Sequence, residues 1–365
     1  MDILEIILLF ILNKKLEKLP KLSKAAILVE QKKSLIVDEI ELPSELSYGQ
    51  VLVEIFVSGI CGSQIGEING VKGPDKYLPH LLGHEGFGKV LSIGPGVKNV
   101  SISDKVILHW RCGSGIQSSP PKYKWKGKEL NAGWVTTFNK YAVVSENRCT
   151  RVGSDLDPEV GALFGCAITT GFGVVENNAQ VKIGESVVVF GAGGIGLNII
   201  QAAKLRSAYP IIAVDIHQSR LDLSMKLGAS HSINSKNVDP ANEIKKILKS
   251  QGLDVFIDNT GIPNVIETGY CLVKKEGRVI LVGVPHHTSL VSLNTLPLHF
   301  GKILIGSHGG DTVPNLDIPR YLRLYREGRI SFKEIISSSY PLESINKAID
   351  AMKDSKTAGR VLIKF

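Results

Sequence analysis

The sequence predicts an α/β protein that combines a β-rich first half with a doubly wound parallel sheet in the second half. A length of 365 residues corresponds to about two domains of roughly 150 residues each. Hydrophobic residues make up 43% and charged residues 21%, as in ordinary globular proteins. Near Gly184 the apolar pattern changes from strands alone to strands that alternate with helices. These observations exclude a small disulfide-stapled scaffold and a disordered chain.

The first half contains short apolar runs separated by glycine and proline, which is typical of strands and turns. We predict strands at 25–29, 35–37, 51–57, 88–91, 106–108 and 141–144. Together they predict a β-rich domain over residues 24–174, preceded by an N-terminal extension over residues 1–23.

The second half alternates apolar strands with stretches of helical periodicity. Strands are predicted at 187–190, 211–214, 232–233, 255–257, 279–282 and 303–305. Six strands joined by helix-length crossovers predict a doubly wound parallel sheet, here assigned to residues 175–306. Residues 307–365 are predicted to form helices around 321–325 and 345–352 and a final strand at 361–363.

Charge and cysteine content narrow the class of protein. The formal net charge of +8 is spread along the chain without a run of like charges, so no nucleic-acid interface is predicted. The apolar run at 3–12 is shorter than the about 20 residues that a membrane span needs, and no membrane association is expected. Five scattered cysteines without a Cys-x-x-Cys spacing favour a reducing compartment. We therefore expect a cytoplasmic protein.

A glycine-rich loop directly follows the predicted strand at 187–190 and opens a helical stretch. Such a loop binds the pyrophosphate of a dinucleotide. Gly191 allows the tight turn, Gly193 lets the backbone approach the phosphates, and Gly196 permits close helix packing. The helix N-terminus favours the anion. The candidate cofactor ligands of this loop are Gly191, Gly193, Gly194, Ile195 and Gly196.

Asp215 ends the second strand of this sheet, about 20 residues after the loop, where dinucleotide-binding proteins place an acidic residue. A carboxylate there accepts both hydroxyls of an adenosine ribose and repels the extra phosphate of NADP(H). The sequence therefore predicts NAD(H) as the cofactor. A glycine-rich turn beside a surface aspartate is the alternative explanation.

Cys61, His84 and Cys166 are candidate metal ligands. Two thiolates and one imidazole would occupy three of the four tetrahedral positions of zinc and leave one open, as in catalytic zinc sites. Each residue alone has a simpler explanation, as a core cysteine or an ordinary histidine. Spacing alone does not bring three such distant residues together.

The order and spacing of several motifs resemble the zinc-dependent medium-chain dehydrogenase/reductase superfamily, and within it the alcohol dehydrogenases. The resemblance covers residues 24–365. It implies a GroES-like catalytic domain, to which residues 307–365 return, and a Rossmann domain that binds NAD(H), with the active site in the cleft between them. The motifs are Gly59-Ile60-Cys61-Gly62-Ser63, Gly83-His84-Glu85-Gly86, Gly165-Cys166, Thr169-Thr170-Gly171, the glycine-rich loop, residues 281–285 and Gly359-Arg360.

The resemblance also implies a role for each matching residue. Cys61, His84 and Cys166 hold the zinc, and Glu85 lies behind the metal. Ser63 donates or accepts the proton of the substrate alcohol, which the zinc acidifies. The remaining implied contacts are Trp110 to the substrate, Thr170, Val282 and Val284 to the nicotinamide, Arg360 to the cofactor phosphates and Arg220 to the adenosine ribose.

The cysteine pattern departs from that of many relatives, which bind a second, structural zinc through four closely spaced cysteines. Here residues 111–134 contain a single cysteine, Cys112. We therefore predict one zinc per chain. The polar, basic and aromatic segment in this place is expected to be a solvated loop, with a role in binding a polar substrate as the alternative. Cys149 and Cys271 are expected to be core thiols.

The proton relay also departs from the family pattern. Gln64 stands where an acidic residue is common, and we expect its amide oxygen to orient His84. Gly66 stands where many relatives have a histidine that continues the relay. Glu67 or an ordered water is the hypothesised replacement. The pair His286-His287 is expected to lie in a loop near the cofactor.

These features predict a zinc-dependent oxidoreductase that transfers a hydride between NAD(H) and a primary or secondary alcohol or carbonyl compound. The polar segment 111–134 and the net charge favour a polyol, sugar or cyclitol over a simple aliphatic alcohol. A homodimer or homotetramer is expected. Two other functions stay open. One is a glutathione-adduct (formaldehyde) dehydrogenase, suggested by likeness in residues 135–146 and the C-terminal tail, and the other is a non-catalytic nucleotide-binding protein of the same fold.

Overall fold

The computed structural model describes residues 19–354 and 358–365. The apolar run at 3–12 and most of the predicted N-terminal extension lie outside the described residues. None of the helices in the described ranges has the length and apolar character needed to cross a lipid bilayer.

Strands dominate the first half, as the sequence predicts, and all six predicted strands are present. The strands form two sheets, in the orders β4-β1-β2-β7-β8 and β10-β6-β5-β3, and β9 also pairs with β3. The strands are β1 (Leu22–Leu28), β2 (Ile36–Glu41), β3 (Gln50–Ile60), β4 (His80–Leu81), β5 (Glu85–Ile93), β6 (Lys105–His109), β7 (Tyr123–Trp125), β8 (Lys128–Leu130), β9 (Tyr141–Ser145) and β10 (Cys149–Val152). The helices are α1 (Gly62–Ile68), α2 (Pro158–Leu163) and α3 (Ala167–Gly173).

The second half contains a six-stranded parallel sheet of order β13-β12-β11-β14-β15-β16. This is the doubly wound order of dinucleotide-binding folds. Strands β12 and β13 lie on one side of β11, and strands β14, β15 and β16 lie on its other side. The strands are β11 (Val187–Phe190), β12 (Ile211–Asp215), β13 (His231–Asn234), β14 (Leu253–Asp258), β15 (Val273–Leu281) and β16 (Ile303–Gly306). The helices are α4 (Gly194–Leu205), α5 (Gln218–Leu227), α6 (Pro240–Leu248) and α7 (Pro263–Leu272).

The C-terminal part returns to the first half. After α8 (Pro314–Arg326), strand β17 (Ile336–Pro341) and helix α9 (Ile345–Lys353), the last strand β18 (Arg360–Lys364) pairs antiparallel with β3. In this register Val361 lies opposite Ile60, so Arg360 lies beside the end of β3. The C-terminal part of the chain therefore completes a sheet of the first half.

The two halves share one apolar core. Its largest cluster of buried side chains includes Phe87 of β5, Phe164, Ile199 of α4 and Phe332. Helix α3 packs directly against α4, close enough that a side chain at Gly171 would overlap Asn198. This contact brings the candidate zinc ligand Cys166, which precedes α3, next to the helix that follows the glycine-rich loop.

The segment predicted as a solvated loop is partly folded, and that expectation is wrong. Strands β7 and β8 form a hairpin that joins the first sheet through β2. Tyr123 and Leu130 are fully buried, because they join Ile27 and Ile40 in one apolar cluster of this sheet. Three residues per strand are too few to show an alternating pattern in the sequence.

Glu146 fastens the start of the same segment. Its buried carboxylate accepts the backbone N–H groups of Lys98 (2.6 Å), Asn99 (2.8 Å) and Ile116 (2.7 Å). A carboxylate that accepts three amide protons is a strong anchor, because each bond is charge-assisted. The Glu146 carboxylate thus joins the loop at Lys98 and Asn99 to the loop at Ile116, and this link does not require a metal ion.

The expectation for the remaining cysteines is half right. Cys149 is buried, and burial raises the pKa of its thiol above the usual value. Cys271 is exposed near the end of α7 and is not a core thiol. Cys271 lies on the outer face of an amphipathic helix, and a single small residue there does not change the hydrophobic pattern of the sequence.

We expect Glu146→Gln to lower the free energy of unfolding by about 2 kcal/mol, because one charge-assisted acceptor is lost and an amide N–H then faces a backbone donor. Denaturant unfolding of the purified protein measures this change. Glu129→Gln on the exposed strand β8 is the matched control, with an expected change below about 0.5 kcal/mol. Equal stability of the two variants would contradict the anchoring role.

Candidate active site

Three side chains converge at the point where β3 ends. Cys61 directly follows β3 and caps the N-terminus of α1, His84 directly precedes β5, and Cys166 directly precedes α3. Their ligand atoms lie within 4.8 Å of one another. Both cysteines are buried, and Nε2 of His84 is a buried nitrogen without a hydrogen-bond partner among the described residues. The three predicted ligands therefore meet in space.

This donor set fits zinc. Two sulfurs and one imidazole nitrogen are ligands that zinc prefers, and three protein ligands leave the fourth position for a reactant. The unpartnered Nε2 of His84 supports the same conclusion, because a buried polar atom without a partner is costly unless a ligand satisfies it. The site can thus hold one zinc ion through Cys61, His84 and Cys166.

The two thiols influence each other strongly. A hydrogen bond from Cys166, together with the Arg360 and His84 charges, lowers the pKa of Cys61 well below its usual value despite burial. The same hydrogen bond, burial and the neighbouring negative charges raise the pKa of Cys166. A thiolate is thus favoured at Cys61, and a thiolate is the form of cysteine that binds metals.

Gln64 contacts His84 in a different way from the one expected. Its side-chain oxygen accepts the backbone N–H of Cys61 at 2.7 Å, and its amide nitrogen lies next to Nδ1 of His84. The expectation that the oxygen orients His84 is therefore wrong, because the N-terminal N–H of α1 takes that oxygen. When Nε2 of His84 binds a metal, Nδ1 carries the proton and becomes a donor. The backbone N–H of Cys61 and the Nδ1–H of His84 then compete for the single amide oxygen of Gln64.

Glu85 and Arg360 form a buried ion pair behind the cysteines. Nε of Arg360 lies 3.3 Å from Oε1 of Glu85, and Oε2 accepts the backbone N–H of Ala167 at 3.1 Å. Burial raises the pKa of Glu85, and the Arg360 charge partly offsets this effect. For Arg360, burial lowers the pKa, but the charges of Glu85 and the cysteines outweigh it and raise the value. The pair thus links the last strand to the candidate metal ligands.

Ser63 and Trp110 lie beside the candidate metal ligands. The hydroxyl of Ser63, in the first turn of α1, is buried and has no hydrogen-bond partner within the described ranges. The Trp110 ring, just after β6, is 6.4 Å from the His84 ring. A hydroxyl that can donate or accept and an aromatic ring therefore lie close to the candidate metal ligands.

The glycine-rich loop has the geometry that a dinucleotide needs. Gly191 follows β11 with φ of +95°, a conformation that other residues rarely adopt. At Gly196 a side chain would lie 2.0 Å from the carbonyl oxygen of Gly191, so only glycine permits this contact. The backbone at Gly193 faces open space, and Gly194 and Ile195 begin α4. The loop thus leaves its N–H groups accessible at the helix N-terminus.

Asp215 ends β12 beside this loop. Its carboxylate accepts the N–H groups of Ala192 at 2.8 Å and His217 at 2.9 Å, and Arg220 lies 3.8 Å away. These bonds fix the carboxylate at the edge of the loop and leave lone pairs on both oxygens. Arg220 is thus a neighbour of Asp215, and its contact with an adenosine ribose stays a prediction.

The other implied cofactor residues surround the carboxyl ends of the sheet. Thr170 is buried in α3, Val282 directly follows β15, and Val284 is exposed two residues later. The Arg360 side chain passes so close to Gly194 that a side chain there would lie 2.9 Å from its Cδ atom. Such an arrangement can bind a dinucleotide in the crevice outside the carboxyl ends of the strands.

Sequence reasoning missed Asp258, the last residue of β14. Its buried carboxylate accepts the N–H groups of Thr260 (2.9 Å) and Gly261 (3.0 Å), and its backbone oxygen accepts the N–H of Val282 (2.8 Å). Burial raises the pKa of Asp258. An acidic residue at the end of an apolar strand, as at Asp215, was the signal that could have found it. Asp258 positions the two loops that flank this end of the sheet.

We expect Gln64→Glu to bind zinc about tenfold more tightly, because a carboxylate accepts the N–H groups of both Cys61 and His84 at once. Competition with a chelator of known affinity measures the change. Gln251→Glu, on an exposed turn, adds the same charge far from the site and serves as control. Equal or weaker zinc retention in Gln64→Glu would contradict the competition between the two donors.

Comparison with known proteins identifies both halves. Residues 47–154 match the family model of the alcohol dehydrogenase GroES-like domain, and residues 194–327 match that of the zinc-binding dehydrogenase. The chain is similar to the S-(hydroxymethyl)glutathione dehydrogenase of Paracoccus denitrificans, with 30% identity over 374 residues that cover 93% of this chain and 99% of the relative. It is also 30% identical to the class-3 alcohol dehydrogenase of Dictyostelium discoideum, covering 93% of this chain and 97% of that protein.

Solved structures agree with these matches. The benzyl alcohol dehydrogenase of Acinetobacter calcoaceticus superimposes with a TM-score of 0.85 at 28% identity, covering 95% of this chain and all of that one. An alcohol dehydrogenase zinc-binding domain protein from Burkholderia ambifaria gives a TM-score of 0.86 at 28% identity and covers 94% of this chain. The GroES-like and Rossmann fold class is thereby confirmed. The chain belongs to the zinc-dependent medium-chain dehydrogenase/reductase superfamily, within its alcohol dehydrogenase family.

Proposed function

We propose that this protein is an NAD-dependent zinc alcohol dehydrogenase that transfers a hydride between NAD(H) and a primary or secondary alcohol or carbonyl compound. The observation that carries the proposal is the convergence of Cys61, His84 and Cys166 within 4.8 Å, beside an α4 N-terminus suited to a dinucleotide. A nucleotide-binding protein without turnover has no need of this ligand set.

The mechanism follows from the groups around the ligands. A zinc ion held by Cys61, His84 and Cys166 would acidify an alcohol hydroxyl and polarise a carbonyl. Ser63 would take the hydroxyl proton, since its buried oxygen is available to donate and accept. Trp110 would hold the carbon chain of the substrate and keep water out. NAD(H) itself carries the hydride, and the chain orients it through the glycine-rich loop.

The preference for NAD(H) over NADP(H) rests on Asp215. Its carboxylate stands fixed beside the loop by two backbone N–H groups, where it would accept ribose hydroxyls and repel a phosphate. Arg220, 3.8 Å away, would cover the ribose without removing this negative charge.

The substrate class is proposed from the residues around Trp110. The Trp110 ring contacts the His308 ring at 5.0 Å, and the Arg111 guanidinium lies 5.9 Å from the Trp110 ring and donates to Nδ1 of His308. Asp311, 3.9 Å from Arg111, balances part of this charge. A polar rim of this kind favours an alcohol with further hydroxyl or anionic groups, such as a polyol, sugar or cyclitol.

A glutathione-adduct dehydrogenase is the second candidate. The observation that favours it is the similarity to relatives such as the S-(hydroxymethyl)glutathione dehydrogenase of Paracoccus denitrificans, 30% identical to this chain. Activity with formaldehyde only when glutathione is present would select this candidate over a polyol dehydrogenase.

We also propose one zinc per chain. Residues 111–134 carry one cysteine, and the segment is fastened by the Glu146 carboxylate and the β7–β8 hairpin, so the segment has an anchor other than metal.

A homodimer or homotetramer is proposed for the assembly. Strand β16 is the outer strand of the parallel sheet, and an exposed edge strand with apolar side chains promotes association. A second copy of the chain is the proposed partner. The exposed apolar residues on and near this edge are Leu290, Leu296, Phe300, Ile303 and Ile305.

We expect wild-type protein to hold one zinc per chain and Cys166→Ser to lose it, with at least a hundredfold lower NAD reduction, because the alcohol is then no longer acidified. Elemental analysis measures the zinc. NAD reduction is assayed with alcohols, polyols, sugars, and formaldehyde with and without glutathione. Cys271→Ser, which changes an exposed thiol, is the control and should keep zinc and activity. NADH binding without turnover of any substrate would favour the non-catalytic alternative.

We expect Asp215→Asn to shift the ratio of kcat/KM for NADP and NAD by at least about tenfold toward NADP, because the repulsion of the extra phosphate disappears. Initial rates with both cofactors at saturating substrate give the ratio. Asp222→Asn on the exposed face of α5 is the matched control. An unchanged ratio in Asp215→Asn would refute the assigned role of this carboxylate.

A further inference from the structure

A second group of titratable side chains lies outside the zinc ligands. Glu67 of α1, Asp75 in the following loop and His80 of β4 have side-chain atoms within 4.8 Å of one another. Nε2 of His80 lies 2.7 Å from Oδ2 of Asp75, and Nδ1 lies 3.0 Å from the carbonyl oxygen of Leu81. His80 is buried, and Glu67 and Asp75 are partly exposed. The group therefore reaches from the interior to the surface.

The bonds within this group suit proton transfer better than metal binding. Both ring nitrogens of His80 already face oxygen atoms of the protein, so neither is left free for a metal. Asp75 also accepts the N–H of Tyr77 at 2.8 Å through its other oxygen, which holds it in place. Glu67 adds a second carboxylate next to this pair.

Glu67 lies on the same helix face as Ser63. The two residues are four positions apart in α1, and residues at this spacing are neighbours on a helix surface. Gly66, between them, carries no side chain, and one built there would meet only Val71, at 3.6 Å. The buried hydroxyl of Ser63 thus has a carboxylate one turn further along the helix and no competing side chain from Gly66.

We propose that Glu67, supported by His80 and Asp75, receives the proton that leaves the active site through Ser63. This inference rests on the proposed function. In alcohol oxidation the hydride leaves carbon with its electron pair for NAD. The hydroxyl proton passes to the Ser63 oxygen as Ser63 releases its own proton to Glu67 through a bridging water, because the Ser63 hydroxyl has no direct hydrogen-bond partner among the described residues. The proton then leaves for solvent past Asp75, so that one alcohol and NAD yield one carbonyl compound, NADH and one proton.

Neighbouring chain segments bring other charged groups near Glu67. The turn before β2 bonds to the end of α1, the loop after α1 runs past Glu67, and His287 from the second half donates its backbone N–H to Val71 in that loop. These neighbours contribute to the local potential and are part of any pH response. The charged or titratable groups on these segments are Lys32, Lys72, Asp75, Lys76, His80 and His287.

The test compares Glu67→Gln, Glu67→Asp and the control Glu41→Gln on the exposed face of β2. Glu67→Gln is expected to lower kcat for alcohol oxidation about tenfold at pH 7, and the deficit should narrow as the pH rises, because hydroxide then accepts the proton. Zinc content and KM for NAD should not change. Glu67→Asp keeps a carboxylate and should restore most of the activity. Glu41→Gln should match wild type throughout.

A second readout does not depend on turnover. In NMR spectra of the protein with carbon-13-labelled histidine, the His80 ring signals should move in Glu67→Gln and stay in place in Glu41→Gln, because Glu67 lies against His80. An unchanged pH profile of kcat in Glu67→Gln would overturn the relay while the proposed function stands. Wild-type protein without NAD-linked alcohol oxidation would instead overturn the proposed function, and unmoved His80 signals would overturn the grouping itself.

Discussion

The buried ion pair between Arg360 and Glu85 is the interaction on which the site depends. Arg360 also donates to the carbonyl oxygen of Ile60 at 3.3 Å and passes beside Gly194 at the start of α4. One side chain thus joins the end of β3, the segment behind the proposed zinc ligands and the helix that follows the glycine-rich loop. Removal of either charge would leave the other buried without a partner, which costs several kcal/mol.

The charge balance around this pair explains why so many ionisable groups can be buried together. With a zinc ion bound, the two cysteine thiolates and Glu85 would carry three negative charges, and the Arg360 guanidinium together with the divalent cation would balance them. Without such compensation, burial of each charge is unfavourable, as the raised pKa values of Glu85 and Cys166 indicate. The arrangement would therefore couple zinc binding to the pairing of β18 with β3.

The segment that replaces the four-cysteine lobe also supports the substrate side. Arg148, two residues after Glu146, donates to the carbonyl oxygen of Trp110 at 2.5 Å and to the side chain of Gln117 at 3.1 Å. Ser114 in the same segment donates its N–H to Asn315 of α8. The proposed wall of the substrate pocket, Trp110, is thus held from both halves of the molecule, and a rigid wall would favour a single orientation of the substrate.

The sequence by itself determined the local features of this protein, namely the parallel sheet, its glycine-rich loop and the position of Asp215. These features follow from apolar runs and turn residues, whose effects extend over only a few positions of the chain. The residue types of Cys61, His84 and Cys166 made them candidate zinc ligands, but only the resemblance implied that they meet, because their meeting depends on chain segments far apart. Tertiary structure alone decided that β18 pairs with β3 and brings Arg360 to Glu85, that the β7–β8 hairpin folds, and that Gln64 turns its oxygen to Cys61. Each of these depends on long-range register or on competition between donors, and neither leaves a periodic signal in the sequence.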